Sequence, residues 1–160
     1  TIVVNLQGDE PLMPPRLLDQ LALNLHSSRD ASMASLMTPI KNLQEFRDPA
    51  CVKVVCDAQG YALYFSRAPI PVLRDGSAED IASVAMRHLG VYAYRCRFLQ
   101  EFASMAPCKL EPFEKLEQLR ALYHGRKIIM DVALEVPPVG VDTPDDLLRV
   151  SKFLTGERDD

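Results

Sequence analysis

A carboxylate set just past the end of a strand can hold a hard cation, and this chain offers two such places. The first is Asp9, in the stretch Gln7-Gly8-Asp9-Glu10-Pro11. It follows Thr1-Ile2-Val3-Val4, a β-branched run that reads as a strand buried on both faces of a parallel sheet. Gly8 permits a turn and Pro11 ends pairing, which puts Asp9 at a carboxyl edge, where open α/β sheets bind ligands. Mg²⁺ suits such a place, because it takes one or two carboxylates alongside substrate phosphate oxygens. The second is Asp142, directly before Thr143-Pro144-Asp145-Asp146, a second ligand if it shares that edge. Both have plainer roles, Asp9 as a turn or helix cap and Asp142 as the residue preceding a cap.

Five further positions carry groups that recognise rather than react. Arg67 stands at a strand end with a planar fork suited to a carboxylate, or to a surface ion pair. His88 and Tyr92 flank Gly90 and share one face of a strand, as a binding pair or as core packing. Glu117 and Gln118 lie mid-helix, where Glu117 could simply pair with Arg120 three residues on.

The elements that must position these groups follow from periodicity. Pro14 and Pro15 open a helix to about Ser27, with Leu17, Leu18, Leu21 and Leu25 at helical spacing. Residues 32–37 alternate as a strand ended by Thr38-Pro39, and Asn42 caps a short helix through Phe46. Residues 51–56 and 61–65 form a hairpin across Asp57-Ala58-Gln59-Gly60. A polar loop fills 73–83, and 88–94 is a strand with His88, Gly90, Tyr92 and Tyr94 on one face. Helices are expected over 97–105 and over 112–124, the latter burying Phe113, Leu116, Leu119 and Leu122 and stopping at Gly125. A last strand over 127–134 precedes a final helix that starts with Thr143, Pro144 and two acids. The order is mixed α/β, a mostly parallel sheet with an antiparallel hairpin excursion.

The chain has 160 residues, 48% of them hydrophobic, enough for one core and one domain. A net charge of −4 with no basic run argues against a general nucleic-acid or membrane-surface binder. The four cysteines include no CxxC pair and read as reduced cytosolic thiols. No apolar stretch reaches bilayer length, and no signal peptide is visible. The chain starts inside a strand, which suggests that a segment lies upstream.

Five strings occur in one order: Val4-Asn5-Leu6-Gln7-Gly8-Asp9-Glu10-Pro11, Tyr61-Ala62-Leu63-Tyr64-Phe65-Ser66-Arg67-Ala68, Arg87-His88-Leu89-Gly90-Val91-Tyr92, Leu116-Glu117-Gln118-Leu119-Arg120 and Gly140-Val141-Asp142-Thr143-Pro144-Asp145-Asp146-Leu147. Over residues 1–153 the set resembles the 3-deoxy-manno-octulosonate (Kdo) cytidylyltransferases, or CMP-Kdo synthetases. The resemblance implies a Rossmann-like sheet of the nucleotide-diphospho-sugar transferase type. It also implies Mg²⁺-dependent joining of CTP and Kdo for lipopolysaccharide biosynthesis by a cytoplasmic homodimer. Asp9 and Asp142 would hold the metal, and Gln7, His88, Tyr92, Glu117 and Gln118 would surround Kdo, with Arg67 on its carboxylate. The family's first βα unit, with its triphosphate signature, has no counterpart here. Residues 1–155 therefore resemble the carboxyl-terminal portion of one domain, inactive alone, with 156–160 as a polar tail. Two alternatives stand beside this reading: a cytidylyltransferase for another sugar acid or polyol, and a non-catalytic interaction module.

Overall fold

A computed structural model of the chain describes residues 1–76, 80–138, 140, 141 and 143–155. The elements in order are β1 (Ile2–Asn5), α1 (Pro15–Ser27), β2 (Met33–Pro39), α2 (Leu43–Arg47), β3 (Lys53–Cys56), β4 (Ala62–Ser66), α3 (Ile81–Val84), β5 (Met86–Arg95), α4 (Cys96–Ser104), α5 (Glu111–Glu114), α6 (Gln118–Tyr123), β6 (Ile128–Val132) and α7 (Pro144–Thr155).

The strands form one mixed sheet in the order β4-β3-β5-β2-β6, with β1 also on β5. β1, β2 and β3 each run antiparallel to β5, β6 runs parallel to β2, and β4 runs antiparallel to β3. Four strands therefore point one way, and β4 and β5 point the other. The α/β class and the hairpin excursion are as expected. Among the described residues, however, direct parallel pairing is confined to β2–β6, because β5 lies between β2 and the other strands that share its direction.

Helices cover both faces. On one, Leu17, Leu21 and Leu25 of α1 pack on Ala34, Leu36, Leu89, Val91 and Ala93. On the other, Phe98, Leu116 and Leu119 pack on Met33, Phe65, Tyr92, Tyr94 and Met130. Leu17, Leu21 and Leu25 are fully buried while Leu23 faces solvent, as the three-to-four spacing required of a helix lying on a sheet.

Several local expectations need correction. β1 is not buried on both faces: Ile2, Val3 and Val4 are half-buried, and among the described residues it pairs only with β5, antiparallel. β2 continues through Thr38 and Pro39, where Thr38 and Pro39 still face Arg87 and Met86. The polar 73–83 stretch contains the start of α3, whose Ile81 is buried against Ile40 and Phe46. Ser77, Ala78 and Glu79 of that loop, and the 156–160 tail, lie outside the described residues.

The largest correction is the helix expected over 112–124. It is broken, because Lys115 adopts a left-handed conformation with φ 54° and ends α5. Phe113 is consequently 85% exposed rather than buried, while Leu116 and Leu119 reach the core. Glu117 and Gln118 move from mid-helix to the amino-terminal start of α6. The cap residues behaved as read. Asn42 accepts from the Glu45 N–H at 2.8 Å, and Thr143 and Asp146 cap each other reciprocally.

Candidate functional site

A cavity of about 430 Å³ opens where β5, the end of β4 and the α5–α6 junction meet. Gln7, Arg67, His88, Tyr92, Glu117 and Gln118 all line it, although they come from four distant parts of the chain. Gly90 and Tyr94 line it too, as the expected shared face of β5 requires.

That shared face survives an irregularity. Ser35 pairs with Tyr92 but the next residue, Leu36, pairs with Leu89, so β5 carries two extra residues at Gly90 and Val91. An even insertion keeps the alternation in phase, and His88 stays on the same side as Tyr92 and Tyr94. The rings run in series: Phe65 to His88 at 4.9 Å, His88 to Tyr92 at 5.4 Å, and Tyr92 to Tyr94 at 5.9 Å.

Burial sets the protonation of this wall. It holds the His88 imidazole down to about 3, so the ring is neutral. Burial, then Tyr94 and Glu117, pushes the Tyr92 phenol well above its ordinary range. Burial, then Glu117, pushes Tyr94 up to about 12. Both phenols are therefore donors. Cys51, also in the lining, has its thiol raised by burial first and Glu45 second, which leaves it a poor nucleophile.

Arg67 is not a surface ion pair. Its Nε donates to the Glu114 carbonyl at 2.7 Å and its Nη1 to the Pro49 carbonyl at 2.9 Å. The Glu114 carboxylate in turn accepts from the Ser66 hydroxyl at 2.6 Å and the Arg67 N–H at 2.8 Å. Behind them Lys53, with no exposed surface, donates to the carbonyls of Asp48 (2.8 Å), Cys51 and Arg67 (2.7 Å). One ammonium thus ties the stretch before β3 to the strand end that carries Arg67.

Among the described residues two buried donors have no partner, Gln118 Nε2 and Arg87 Nε, and both residues line the cavity. A buried orphan donor asks for an acceptor from outside the chain. Sequence reasoning missed Arg87, whose Nη1 sits 3.1 Å from Glu45. Strand alternation puts it on the face opposite His88, so no sequence signal aims it at the cavity. Glu117 does not pair with Arg120, whose guanidinium is taken by Glu111 at 2.6 Å.

Asp9 is exposed on the loop after β1, two residues beyond Gln7. The backbone reaches it from the far end of the chain, where the Val141 N–H donates to the Asp9 carbonyl at 2.7 Å. Gly140 makes this approach possible, since a Cβ there would come within 2.8 Å of the same oxygen. Asp142 lies outside the described residues. Among the described residues no group of three or more His, Cys, Asp or Glu side chains is arranged to hold a metal. No helix among them is long and apolar enough to cross a membrane.

Similarity to known proteins bears on this arrangement. The family model described as cytidylyltransferase matches residues 1–128. A protein of Thioalkalivibrio sulfidiphilus named 3-deoxy-manno-octulosonate cytidylyltransferase is 54% identical, covering 96% of this chain and 62% of its own. Those of Alkalilimnicola ehrlichii (53% identical) and Pseudomonas fluorescens (51% identical) carry the same name, cover 96% of this chain, and are covered to 61% and 62%. A solved structure of CMP:2-keto-3-deoxy-manno-octonic acid synthetase complexed with CTP superposes with a TM-score of 0.86 at 35% identity. It covers 98% of this chain and 63% of its own. The chain thus spans about three fifths of the length of the relatives it matches, and it belongs to the cytidylyltransferase family.

Proposed function

We propose that this chain is the sugar-acid portion of an enzyme that transfers a cytidylyl group from CTP to Kdo, giving CMP-Kdo and pyrophosphate for lipopolysaccharide biosynthesis. The observation that carries the reading is the convergence of Gln7, Arg67, His88, Tyr92, Glu117 and Gln118 on one cavity. The lining suits a carboxylated polyol, which offers one anion and several hydroxyls. Arg67, Arg87 and Gln118 supply donors for the carboxylate, while Glu117 and His88 supply acceptors for hydroxyls. The tilted rings of His88, Tyr92 and Tyr94 give the sugar an aromatic, water-excluding wall.

Asp9, with Asp142, would hold the Mg²⁺. A hard oxygen donor set of one or two carboxylates fits that ion, and Asp9 is exposed two residues beyond the cavity-lining Gln7, with the Val141 N–H bonded to its carbonyl. Once bound, the ion would neutralise charge at the phosphate and acidify the attacking hydroxyl. The residues described contribute position. Those lining the cavity hold the acceptor sugar so that its anomeric hydroxyl faces the α-phosphorus, and they keep water from competing. No thiol nucleophile is used, in keeping with the raised Cys51. Homodimerisation and a cytoplasmic site of action are proposed on the resemblance. For the dimer, the exposed Leu63 of the hairpin is available, whereas Tyr92 and Tyr94 are turned into the cavity.

The test is a split of Michaelis constants in a full-length relative carrying these residues. Replacing the counterpart of Glu117 by Ala removes one charged hydrogen bond, so KM for Kdo should rise about tenfold while that for CTP stays put. Equal effects on both substrates would overturn the assignment of this cavity to the sugar.

A further inference from the structure

We infer that Ser35, on the strand beside His88, is a positioning residue that fixes the His88 ring as its Nε2–H tautomer and so presents Nδ1 to the cavity as a standing hydrogen-bond acceptor. The inference rests on the sugar-acid reading only for the identity of the ligand. Ser35 has no exposed surface and does not itself line the cavity. Its Oγ lies 2.8 Å from His88 Nε2, 3.0 Å from the Leu89 carbonyl and 2.8 Å from the Val91 carbonyl.

A hydroxyl has one proton, and carbonyl oxygens can only accept. If that proton pointed at Nε2, the Ser35 oxygen would face two carbonyl oxygens with nothing between them. The proton therefore goes to a carbonyl, and the hydroxyl oxygen accepts from Nε2–H. The two carbonyls converge on Ser35 because the pairing slips between Ser35 and Leu36, where β5 carries its extra residues. The same irregularity that opens the strand at Gly90 thus builds the lock.

The other ring nitrogen is left free. Nδ1 has no hydrogen-bond partner among the described residues, and the ring is steadied by Phe65 at 4.9 Å and Tyr92 at 5.4 Å. Burial keeps the ring neutral, which agrees with an acceptor that never converts to a donor. An unprotonated nitrogen attracts an O–H and repels a carboxylate. This part of the wall therefore reads a hydroxyl of the ligand, and the carboxylate is directed elsewhere, to the arginine side.

The tautomer can be read directly by long-range ¹⁵N–¹H correlation on ¹⁵N-histidine-labelled chain, with His88 identified by its loss in His88→Gln. The expected pattern is Nε2–H in the unsubstituted chain, kept in Ser35→Thr and lost to a mixed or Nδ1–H state in Ser35→Ala. Adding Kdo should shift Nδ1 and leave Nε2 in place. An Nδ1–H ring in the unsubstituted chain, or a Ser35→Ala ring identical to it, would overturn the inference. Should Ser35→Ala fail to fold, the tautomer of the unsubstituted chain decides. A fixed Nε2–H ring that ignores Kdo supports the lock and counts against the sugar-acid reading alone.

Discussion

Acid should weaken this fold through His88, by an amount the structure sets. The ring is 8% exposed and edged by Phe65 and Tyr92, and burial lowers its pKa from 6.5 to about 3. Because the folded value is depressed, the unfolded chain takes up a proton here over a window in which the folded chain does not. The stability is thus present above the unfolded value and is lost as pH falls from about 6.5 towards about 3. At roughly pH 5 an unfolded histidine is protonated by about thirty to one, which costs the folded state about 2 kcal/mol; at roughly pH 7 the cost is only about 0.2 kcal/mol. Urea unfolding measured at both pH values in the unsubstituted chain and in His88→Gln isolates the effect, since carboxylates, His26 and His124 cancel between them. The drop in the unsubstituted chain should exceed that in the variant by about 2 kcal/mol. Equal drops would mean that the ring is not held neutral, and the reasoning about the cavity wall would fail with it.

Three other outcomes are expected. Arg120→Met strands the Glu111 carboxylate, whose guanidinium partner sits at 2.6 Å, and should cost about 3 kcal/mol in urea unfolding. Lys115→Gly relieves the left-handed backbone at φ 54° and should stabilise by about 0.5 kcal/mol, whereas Lys115→Ala should gain nothing. Gly140→Ala drives a Cβ to within 2.8 Å of the Asp9 carbonyl and should cost about 1–2 kcal/mol. The same change should weaken Mn²⁺ binding at Asp9, read as reduced paramagnetic broadening of the Asp9 amide; unchanged broadening would count against the metal assignment.

What the sequence made legible was local. Pro14 and Pro15 with the spaced leucines announced α1, the Asp57–Gly60 turn announced the hairpin, and Asn42 and Thr143 announced their caps. Gln7, Arg67, His88, Tyr92, Glu117 and Gln118 were legible as motifs, and they do meet, whereas Arg87 was not. The break at Lys115 was not legible, because Leu116, Leu119 and Leu122 continue a helical period straight through it. Only tertiary packing shows that the chain prefers a left-handed residue there, swinging Phe113 outward and Gln118 in. Nor does alternation along β2 distinguish Ser35 from any inward-facing strand serine. Its role comes from a pairing slip against a strand more than fifty positions away. The meeting of Asp9 with the 140–141 backbone is equally non-local, one hydrogen bond and one missing Cβ.

Lys53 offers a way to watch the cavity without touching it. Acylating reagents need an amine that reaches solvent, and this one is sealed under three carbonyls belonging to two segments of the cavity wall. Modification can occur only during excursions in which that corner opens, so its rate reports the frequency of local unfolding rather than intrinsic amine reactivity. A ligand resting against Cys51 and Arg67 would hold the corner shut and slow the labelling. The mass of one proteolytic peptide, followed against time, would then serve as an occupancy gauge for any compound screened against the cavity.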